Sequence, residues 1–315
     1  MRWRFKATLQ QACSSMPAGP TIYRQLQRRF GLLNPDPFRT IPQHAAMVRR
    51  LGKLGFSVDG IRCLEIGTGH VPIAPVAFHL LGAREVVSVD LHRRLLTDLT
   101  SEMLRRLAAA EHRLLDLYEG LVPADVLRDR LARIGRLASR PYDLLDEIGV
   151  HYAAPGDAAR MPDPDGSFDL NFSMTVLEHI RPAALWELLA ETRRLLRTDG
   201  YAAHLVDPSD HFARQDPTIA RINFLRYSVR EWERIAGNEF GYCNRLRASQ
   251  VERMFTEAGL VVEEHVRTVD EPSRSALDSF PLHPDFWQFA PADLCTAELE
   301  VYARREGTDP AAPGV

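Results

Sequence analysis

Apolar and polar positions change along the chain in blocks, with short apolar runs followed by longer amphipathic stretches. The short runs predict strands at 61–66, 86–89, 151–154, 168–172, 201–206, 260–268 and 294–302. The amphipathic stretches predict helices near 20–30, 42–55, 92–118, 123–138, 182–197 and 249–258. Strands that alternate with helices favour right-handed crossovers and a mostly parallel α/β sheet.

Two glycines directly follow the first predicted strand, in the run Leu-Glu-Ile-Gly-Thr-Gly at residues 64–69. Such a tight turn lets a backbone approach a ligand closely, and Pro72 suits the first turn of the helix that follows. Asp90 ends the second strand, 23 residues beyond Gly67, where a carboxylate can accept both ribose hydroxyls. The spacing predicts a nucleoside site at the carboxyl ends of the strands.

Two details distinguish among nucleoside ligands. A dinucleotide fingerprint needs a third glycine three positions after Gly69, and this position holds Pro72. Glu65 stands two positions before the first glycine, where a carboxylate opposes a pyrophosphate but suits a ligand that carries an amino group. An NAD(P)-dependent oxidoreductase and a strand–turn–helix without ligand remain the alternatives.

Several segments together resemble class I S-adenosylmethionine-dependent methyltransferases. The first is Glu65-Ile-Gly-Thr-Gly69 with Asp90, although Val71 stands where that family usually has a third glycine. Gly156-Asp157-Ala158, the fourth-strand region 168–180 and the turn 195–200 are similar to later motifs of the family. A narrower likeness, to bacterial methyltransferases of polysaccharide or natural-product clusters, rests on residues 65–69 with 72–74, and on 177–180, 209–212, 223–226 and 244–247.

The resemblance implies a doubly wound, mostly parallel seven-stranded sheet in the order 3-2-1-4-5-7-6 with strand 7 antiparallel. It implies S-adenosyl-L-methionine as cofactor, S-adenosyl-L-homocysteine as product, and methyl transfer to an O or N atom of a small metabolite. A protein that keeps the cofactor site only as a scaffold is a further alternative. The cofactor-binding residues that we expect are Glu65, Gly67, Thr68, Gly69, Asp90, Leu91, Asp157, Ala158 and Ser173.

The chain divides into five predicted parts. Residues 1–60 form an N-terminal helical cap, and 61–206 form the cofactor-binding core with a helical insertion near 110–140. Residues 207–247 form an inserted acceptor lid, and 248–306 complete the core sheet. Residues 307–315 form a disordered tail.

Residues near the ends of strands four and five are candidates for catalysis. His211 is the preferred general base, with His179 and Asp210 as further candidates. Guanidinium groups bind carboxylate or phosphate, so Arg226, Arg245 and Arg247, together with His204, are candidate contacts of a possible anionic acceptor. The spacing of His204, Asp207, Asp210 and His211 matches no metal template, so the sequence predicts no metal site.

Composition narrows the class of partner. The net charge of −3 gives no electrostatic case for nucleic acid, which favours a small-molecule acceptor. The four cysteines share no close spacing and are typical of reduced thiols in a cytoplasmic protein. No apolar run is long enough to predict a membrane span, and the basic N-terminus lacks the apolar region of a signal peptide.

Overall fold

A computed structural model describes residues 2–305, so the predicted tail at 307–315 lies outside the described residues. Seven strands form one sheet: β1 (Arg62–Ile66), β2 (Glu85–Val89), β3 (Val150–Ala153), β4 (Phe168–Met174), β5 (Leu196–Val206), β6 (Leu260–Val269) and β7 (Thr296–Arg305). Their order is β3-β2-β1-β4-β5-β7-β6. Strands β1 to β5 pair in parallel, and β7 is antiparallel to both β5 and β6. The predicted fold class is confirmed.

Helices cover both faces of the sheet, and three of them precede β1 in the chain. They are α1 (Trp3–Ser14), α2 (Gly19–Arg29), α3 (Ile41–Lys53), α4 (Ile73–Leu81), α5 (Thr97–Ala109), α6 (Glu111–Leu117), α7 (Ala124–Leu137), α8 (Pro141–Glu147), α9 (Pro182–Leu195), α10 (Val229–Ala236), α11 (Ala248–Glu257), α12 (Glu271–Ala276) and α13 (Pro291–Leu294). Within residues 2–305, no helix has the length and apolar character needed to cross a membrane.

Two predicted elements differ from the structure. The stretch 92–118, predicted as one helical pattern, contains α5 and α6, which are separated by Ala110. Strand β5 begins at Leu196 rather than at 201, and Gly200 lies inside it. The register of β5 against β4 shifts between Phe168 and Leu170, and a Cβ on Gly200 would lie 2.8 Å from the Asp169 carbonyl oxygen. Because Gly200 has no side chain, β5 can lie close to β4 where their register shifts. Gly200 therefore lies within a strand and not at the end of a turn.

Of three apolar clusters in the described residues, one joins the N-terminal helix α1 to the segment 207–247. Trp3 of α1 packs against Phe212 and Trp232, and its backbone N–H donates to the Asp216 carboxylate at 2.8 Å. This packing holds α1, and with it α2, beside the carboxyl ends of the strands. The other two clusters lie on the two faces of the sheet.

His44 of α3 gives the fold a pH-dependent component of stability. It is 1% exposed, and neither ring nitrogen has a hydrogen-bond partner within the part of the chain that the structure describes. Burial lowers the pKa of His44 to about 3. In the unfolded chain the ring takes up a proton as the pH falls through about 6.5, while the folded ring stays neutral until about 3. The neutral His44 ring therefore contributes fully to the free energy of unfolding above pH 6.5. This contribution is lost as the pH falls from about 6.5 towards 3.

We expect His44→Leu to become more stable relative to the wild type by about 2 kcal/mol between pH 7 and pH 5. Urea denaturation of both proteins at the two pH values measures this change, and other titrating groups cancel because both proteins carry them. A stability difference that is the same at both pH values would contradict the assignment.

Candidate functional site

A cleft of about 960 Å³ opens at the carboxyl ends of β1, β2 and β4. The N-terminal helix α2 and the segment 237–242 close it from the opposite side. Its lining residues are Pro20, Tyr23, Arg24, Gln27, Gly67, Gly69, His70, Asp90, His92, Arg93, Arg94, Val176, His179, Arg181, Gly237, Asn238, Glu239, Phe240 and Tyr242. Ligands of open α/β sheets bind at this edge, so the cleft is the candidate site.

The glycine turn after β1 forms one wall of the cleft. Gly67 and Gly69 have φ angles of 84° and 70°, a left-handed conformation that favours glycine. The Gly67 N–H donates to the Val89 carbonyl oxygen at 2.8 Å, which ties the turn to β2. A Cβ on Gly69 would meet no atom within 4 Å and would project into open space. The turn is therefore a cradle that a side chain would fill, as a ligand that contacts the backbone requires.

Asp90 is fixed at the mouth of this turn. Its carboxylate accepts from the Gly69 N–H at 3.0 Å and from the His92 N–H at 3.3 Å, and Arg94 lies 3.9 Å away. The structure thus brings together Gly67, Gly69 and Asp90, the three residues on which the nucleoside prediction depends most.

Glu65 and Thr68 lie behind the turn rather than on the surface of the cleft. The Ser88 hydroxyl donates to the Glu65 carboxylate, and Thr68 pairs with the same hydroxyl. Burial raises the pKa of Glu65 to about 8, and the nearby charge of Asp90 also raises it. Glu65 therefore supports the turn from within and carries little negative charge at neutral pH while no cation is near.

The other expected cofactor residues fall into two groups. Leu91 is exposed next to Asp90, and Asp157 is exposed with its carboxylate accepting from the Ala159 N–H at 3.0 Å. Ala158 is buried against the sheet. Ser173 is fully buried, and its hydroxyl pairs with Nδ1 of His204 at 2.8 Å. Ser173 and His204 therefore contact each other inside the sheet layer and do not reach the cleft.

The three arginines predicted to contact an acceptor do not line the cleft either. Arg247 is fully buried and donates to three backbone carbonyls. Arg245 is buried and donates to two further backbone carbonyl oxygens. The Arg226 side chain lies over the Phe280 ring. Burial lowers the pKa of both Arg245 and Arg247 to about 10. These two side chains satisfy loop carbonyls that would otherwise lack partners.

His179 and His211 meet at the inner end of the cleft. Their ring centroids lie 4.9 Å apart, and Cys243 Sγ lies 3.8 Å from His179 Nδ1 and 3.6 Å from His211 Nδ1. His179 lines the cleft, whereas His211 and Cys243 line a cavity of about 30 Å³ next to it. Burial, reinforced by His211, lowers the pKa of His179 to about 4, and burial also lowers the pKa of His211. Both imidazoles are neutral at neutral pH.

Carboxyl groups surround this pair. Asp207 lies 3.5 Å from His211 Nε2 and also pairs with Arg214. Burial raises the pKa of Asp207, but the contacts with His211 and Arg214 outweigh it and hold the pKa well below its usual range. Asp210 accepts from the Phe212 N–H and the Asn223 amide, and burial raises its pKa to about 6. Asp210 therefore organises the chain around His211, and its carboxylate is already bonded.

Sequence reasoning missed several residues of this region, of which three bear most on its chemistry. Arg24 of α2 and Arg93 of the loop after β2 line the cleft, and Cys243 joins the two histidines. The excess of Lys and Arg in residues 1–40 was the one signal for Arg24. Nothing local marks Cys243, which lies 64 residues from His179 and 32 from His211.

Replacing Asp90 should weaken cofactor binding. We expect Asp90→Ala to cost roughly 1.5–3 kcal/mol, about ten- to a hundredfold in affinity for S-adenosylhomocysteine, because it removes a charged hydrogen-bond acceptor from the cleft. Calorimetry measures the affinity, and Asp199→Ala is a control with an exposed carboxylate outside the cleft lining. Unchanged affinity in Asp90→Ala would remove Asp90 from the binding site.

Comparison with known families gives one match within the sheet. Residues 136–204 match the family model described as a methyltransferase domain, and no curated protein matches the chain. Among solved structures, the PH0226 protein of Pyrococcus horikoshii OT3 is 14% identical with a TM-score of 0.46, covering 83% of this chain and 90% of that one. An S-adenosylmethionine-dependent methyltransferase of Mesorhizobium loti is 16% identical with a TM-score of 0.43, covering 82% and 96%. Both TM-scores are below 0.5, so they add nothing to the assignment.

The family assignment rests on the sheet and the family match together. The order β3-β2-β1-β4-β5-β7-β6 with β7 antiparallel is the order that the resemblance implied, and the matched segment runs from α7 to β5. The glycine cradle and Asp90 lie at the switch point between β1 and β4, as a nucleoside cofactor requires. The chain contains a segment, residues 136–204, that matches a methyltransferase domain, in a sheet with the strand order that the resemblance implied.

Proposed function

We propose that the protein transfers the methyl group of S-adenosylmethionine to an oxygen or nitrogen atom of a small anionic metabolite, such as a sugar or natural-product intermediate. The supporting observation is the pair Arg24 and Arg93, which line the cleft and have no ion-pair or hydrogen-bond partner between residues 2 and 305. Unpaired guanidinium groups in a cleft are suited to a carboxylate or phosphate.

The charge of the whole lining supports an anionic acceptor. Four arginines line the cleft, against the two carboxylates Asp90 and Glu239. Arg181 is paired with Glu233 at 2.8 Å and lies over the Tyr242 ring. The excess of positive charge remains on the side formed by α2 and the loop after β2.

We propose further that residues 1–60 act as a cap and 207–247 as a lid over the acceptor. Helix α2 supplies Tyr23 and Arg24 to the lining, and the segment 237–242 supplies Phe240 and Tyr242. Tyr23 and Phe240 are in contact, with ring centroids 4.5 Å apart, so the cap and the lid meet across the cleft. A covered cleft excludes water and restrains the acceptor, which are the main demands of methyl transfer.

Bound S-adenosylmethionine supplies a methyl group activated by a sulfonium, and Gly67, Gly69 and Asp90 would hold the nucleoside part. An acceptor hydroxyl or ammonium must also lose a proton. His179 lines the end of the cleft away from Asp90, whereas His70 and His92 line it near Asp90, where the nucleoside would bind. His211 reaches the cleft through His179 and the small cavity. The proposed catalytic region is therefore the end of the cleft at these two residues.

Turnover assays with matched neutral and anionic acceptors test the proposal, with adenosylhomocysteine release as the readout. We expect Arg24→Gln and Arg93→Gln each to raise the KM of an anionic acceptor about ten- to a hundredfold, since each removes a charge-assisted hydrogen bond of roughly 1.5–3 kcal/mol. Arg29→Gln is the control, because Arg29 lies on the same helix but not in the cleft lining. Equal KM changes for neutral and anionic acceptors would contradict an anionic substrate.

A further inference from the structure

We propose that His179, His211 and Cys243 form a binding site for a zinc-type divalent cation, with one coordination position open to the cleft. One side-chain ligand atom from each of the three residues lies within 4.8 Å of the other two. Imidazole nitrogen and thiolate sulfur are the ligands that zinc prefers.

The distances are close to those of a closed coordination shell. Cys243 Sγ lies 3.6 Å from His211 Nδ1, and one ring nitrogen of His179 lies within 4.8 Å of both. Ligand atoms around tetrahedral zinc are about 3.3–3.8 Å apart, given bond lengths of about 2.0–2.3 Å. Small side-chain rotations suffice to bring all three ligand atoms to one ion.

Groups behind the histidines match the usual outer shell of a metal site. His211 Nε2 lies 3.5 Å from the Asp207 carboxylate, so the opposite nitrogen, Nδ1, is directed at Cys243. His179 Nδ1 lies 2.8 Å from the Tyr242 carbonyl oxygen, which leaves Nε2 of that ring free to bind. Metal-binding histidines typically donate their second N–H to a carboxylate or a backbone carbonyl in this way.

An unpartnered carboxyl group provides an independent sign of a missing cation. Glu178 is 2% exposed, neither of its carboxyl oxygens has a hydrogen-bond partner within residues 2–305, and Oε1 lies 3.9 Å from His211 Nε2. Buried carboxyl groups are normally bonded or paired. With Asp207 and Asp210, the cluster holds three carboxyl groups against two cationic side chains, Lys6 and Arg214. A divalent cation held by Cys243 and the two histidines would therefore lie among acidic groups.

The small cavity can hold the ion, and the main cleft lies next to its open coordination position. The small cavity of about 30 Å³ is lined by all three proposed ligands and has room for a single ion. His179 also lines the main cleft, so the fourth position faces the acceptor. Three protein ligands with one open position are typical of catalytic rather than structural zinc.

The role of the ion, unlike its binding, rests on the proposed methyl-transfer function. An acceptor hydroxyl bound at the open position would lose its proton more readily, because a metal ion lowers the pKa of a bound oxygen ligand. His211 would then hold the ion instead of accepting the proton itself.

The test uses the full chain without a polyhistidine tag. Elemental analysis after dialysis against zinc should find one zinc ion per chain, and cobalt(II) loading should give the near-ultraviolet charge-transfer band of a cobalt–thiolate bond. Cys243→Ser should lose this band, Cys243→His should keep zinc but lack the band, and His211→Asn should weaken zinc binding. Cys295→Ser, which replaces another buried free cysteine, is the control and should keep both signals.

Binding of adenosylhomocysteine, measured on the same samples, shows that each variant is folded and tests the cofactor site separately. A wild-type chain that binds adenosylhomocysteine but neither retains zinc nor shows the cobalt–thiolate band would overturn the metal site and leave the proposed function standing. Zinc binding without adenosylhomocysteine binding would overturn the proposed function and leave the metal site standing.

Discussion

His211→Ala should lower kcat by about 10²–10⁴-fold and leave the affinity for adenosylhomocysteine nearly unchanged. His211 is a neutral, partly buried imidazole that lies 3.5 Å from Asp207, next to His179 at the end of the cleft. The variant removes this group whether it takes the acceptor proton directly or holds a cation that acidifies the acceptor. Cofactor affinity should persist because His211 lines only the small cavity and not the glycine cradle.

Steady-state turnover and calorimetry separate these two effects. His112→Ala is the control, because this side chain is 93% exposed on α6. Chelation distinguishes the two routes: it should leave turnover unchanged if His211 is the base, and should abolish turnover reversibly if the ion is required. A loss of kcat within about tenfold would show that proximity alone drives transfer and that His211 has no chemical role.

The pH profile offers a further check on His211. Its pKa is lowered by burial, so the ring should remain neutral in mildly acidic solution. Either route requires the neutral ring, and activity should therefore persist below the pH at which an exposed histidine becomes protonated, about 6.5. A loss of kcat/KM centred at the ordinary histidine value would point to a group outside this cluster.

The sheet and the nucleotide end of the site were predictable because their signals are local. Strand, turn and helix between 61 and 90 carry Gly67, Gly69 and Asp90 in one short segment. The parallel register Ile66↔Val89 then places the turn and Asp90 side by side. The hydrogen bond from the Gly69 N–H to Asp90 follows from that placement.

The acceptor side was not predictable in the same way, because long-range contacts decide which side chains reach the cleft. Arg245 and Arg247 alternate in sequence, which is consistent with a common outward face. In the structure, Arg245 has a φ of 58° and both side chains turn inward to carbonyl groups of distant loops. Ser173 and His204 are a further case, since their mutual hydrogen bond depends on the pairing of β4 with β5. Arg24 reaches the cleft because Trp3 anchors the N-terminal helices to the segment 207–247.

The glycine turn should respond unequally to substitution of its two glycines. We expect Gly67→Ala to lower the free energy of unfolding by about 2–5 kcal/mol, the sum of about 1–2 for a left-handed alanine and about 1–3 for overpacking. A Cβ there would lie 2.6 and 3.0 Å from the two methyl carbons of Val176, a β-branched side chain with little freedom to rotate away. Gly69→Ala should cost only about 1–2 kcal/mol, because its Cβ meets no atom within 4 Å.

A double-mutant cycle isolates the steric part of this effect. Val176→Ala removes both methyl groups that a Cβ at position 67 would strike, so Gly67→Ala in that background should retain only the conformational cost. The coupling free energy between the two positions should therefore be about 1–3 kcal/mol, with the double variant more stable than the sum of the single changes predicts. Urea denaturation without cofactor measures all four proteins. Equal losses for Gly67→Ala and Gly69→Ala, with no coupling to Val176, would mean that the loop after β4 does not press on the turn, and that the close fit between the two walls of the cleft is absent in solution.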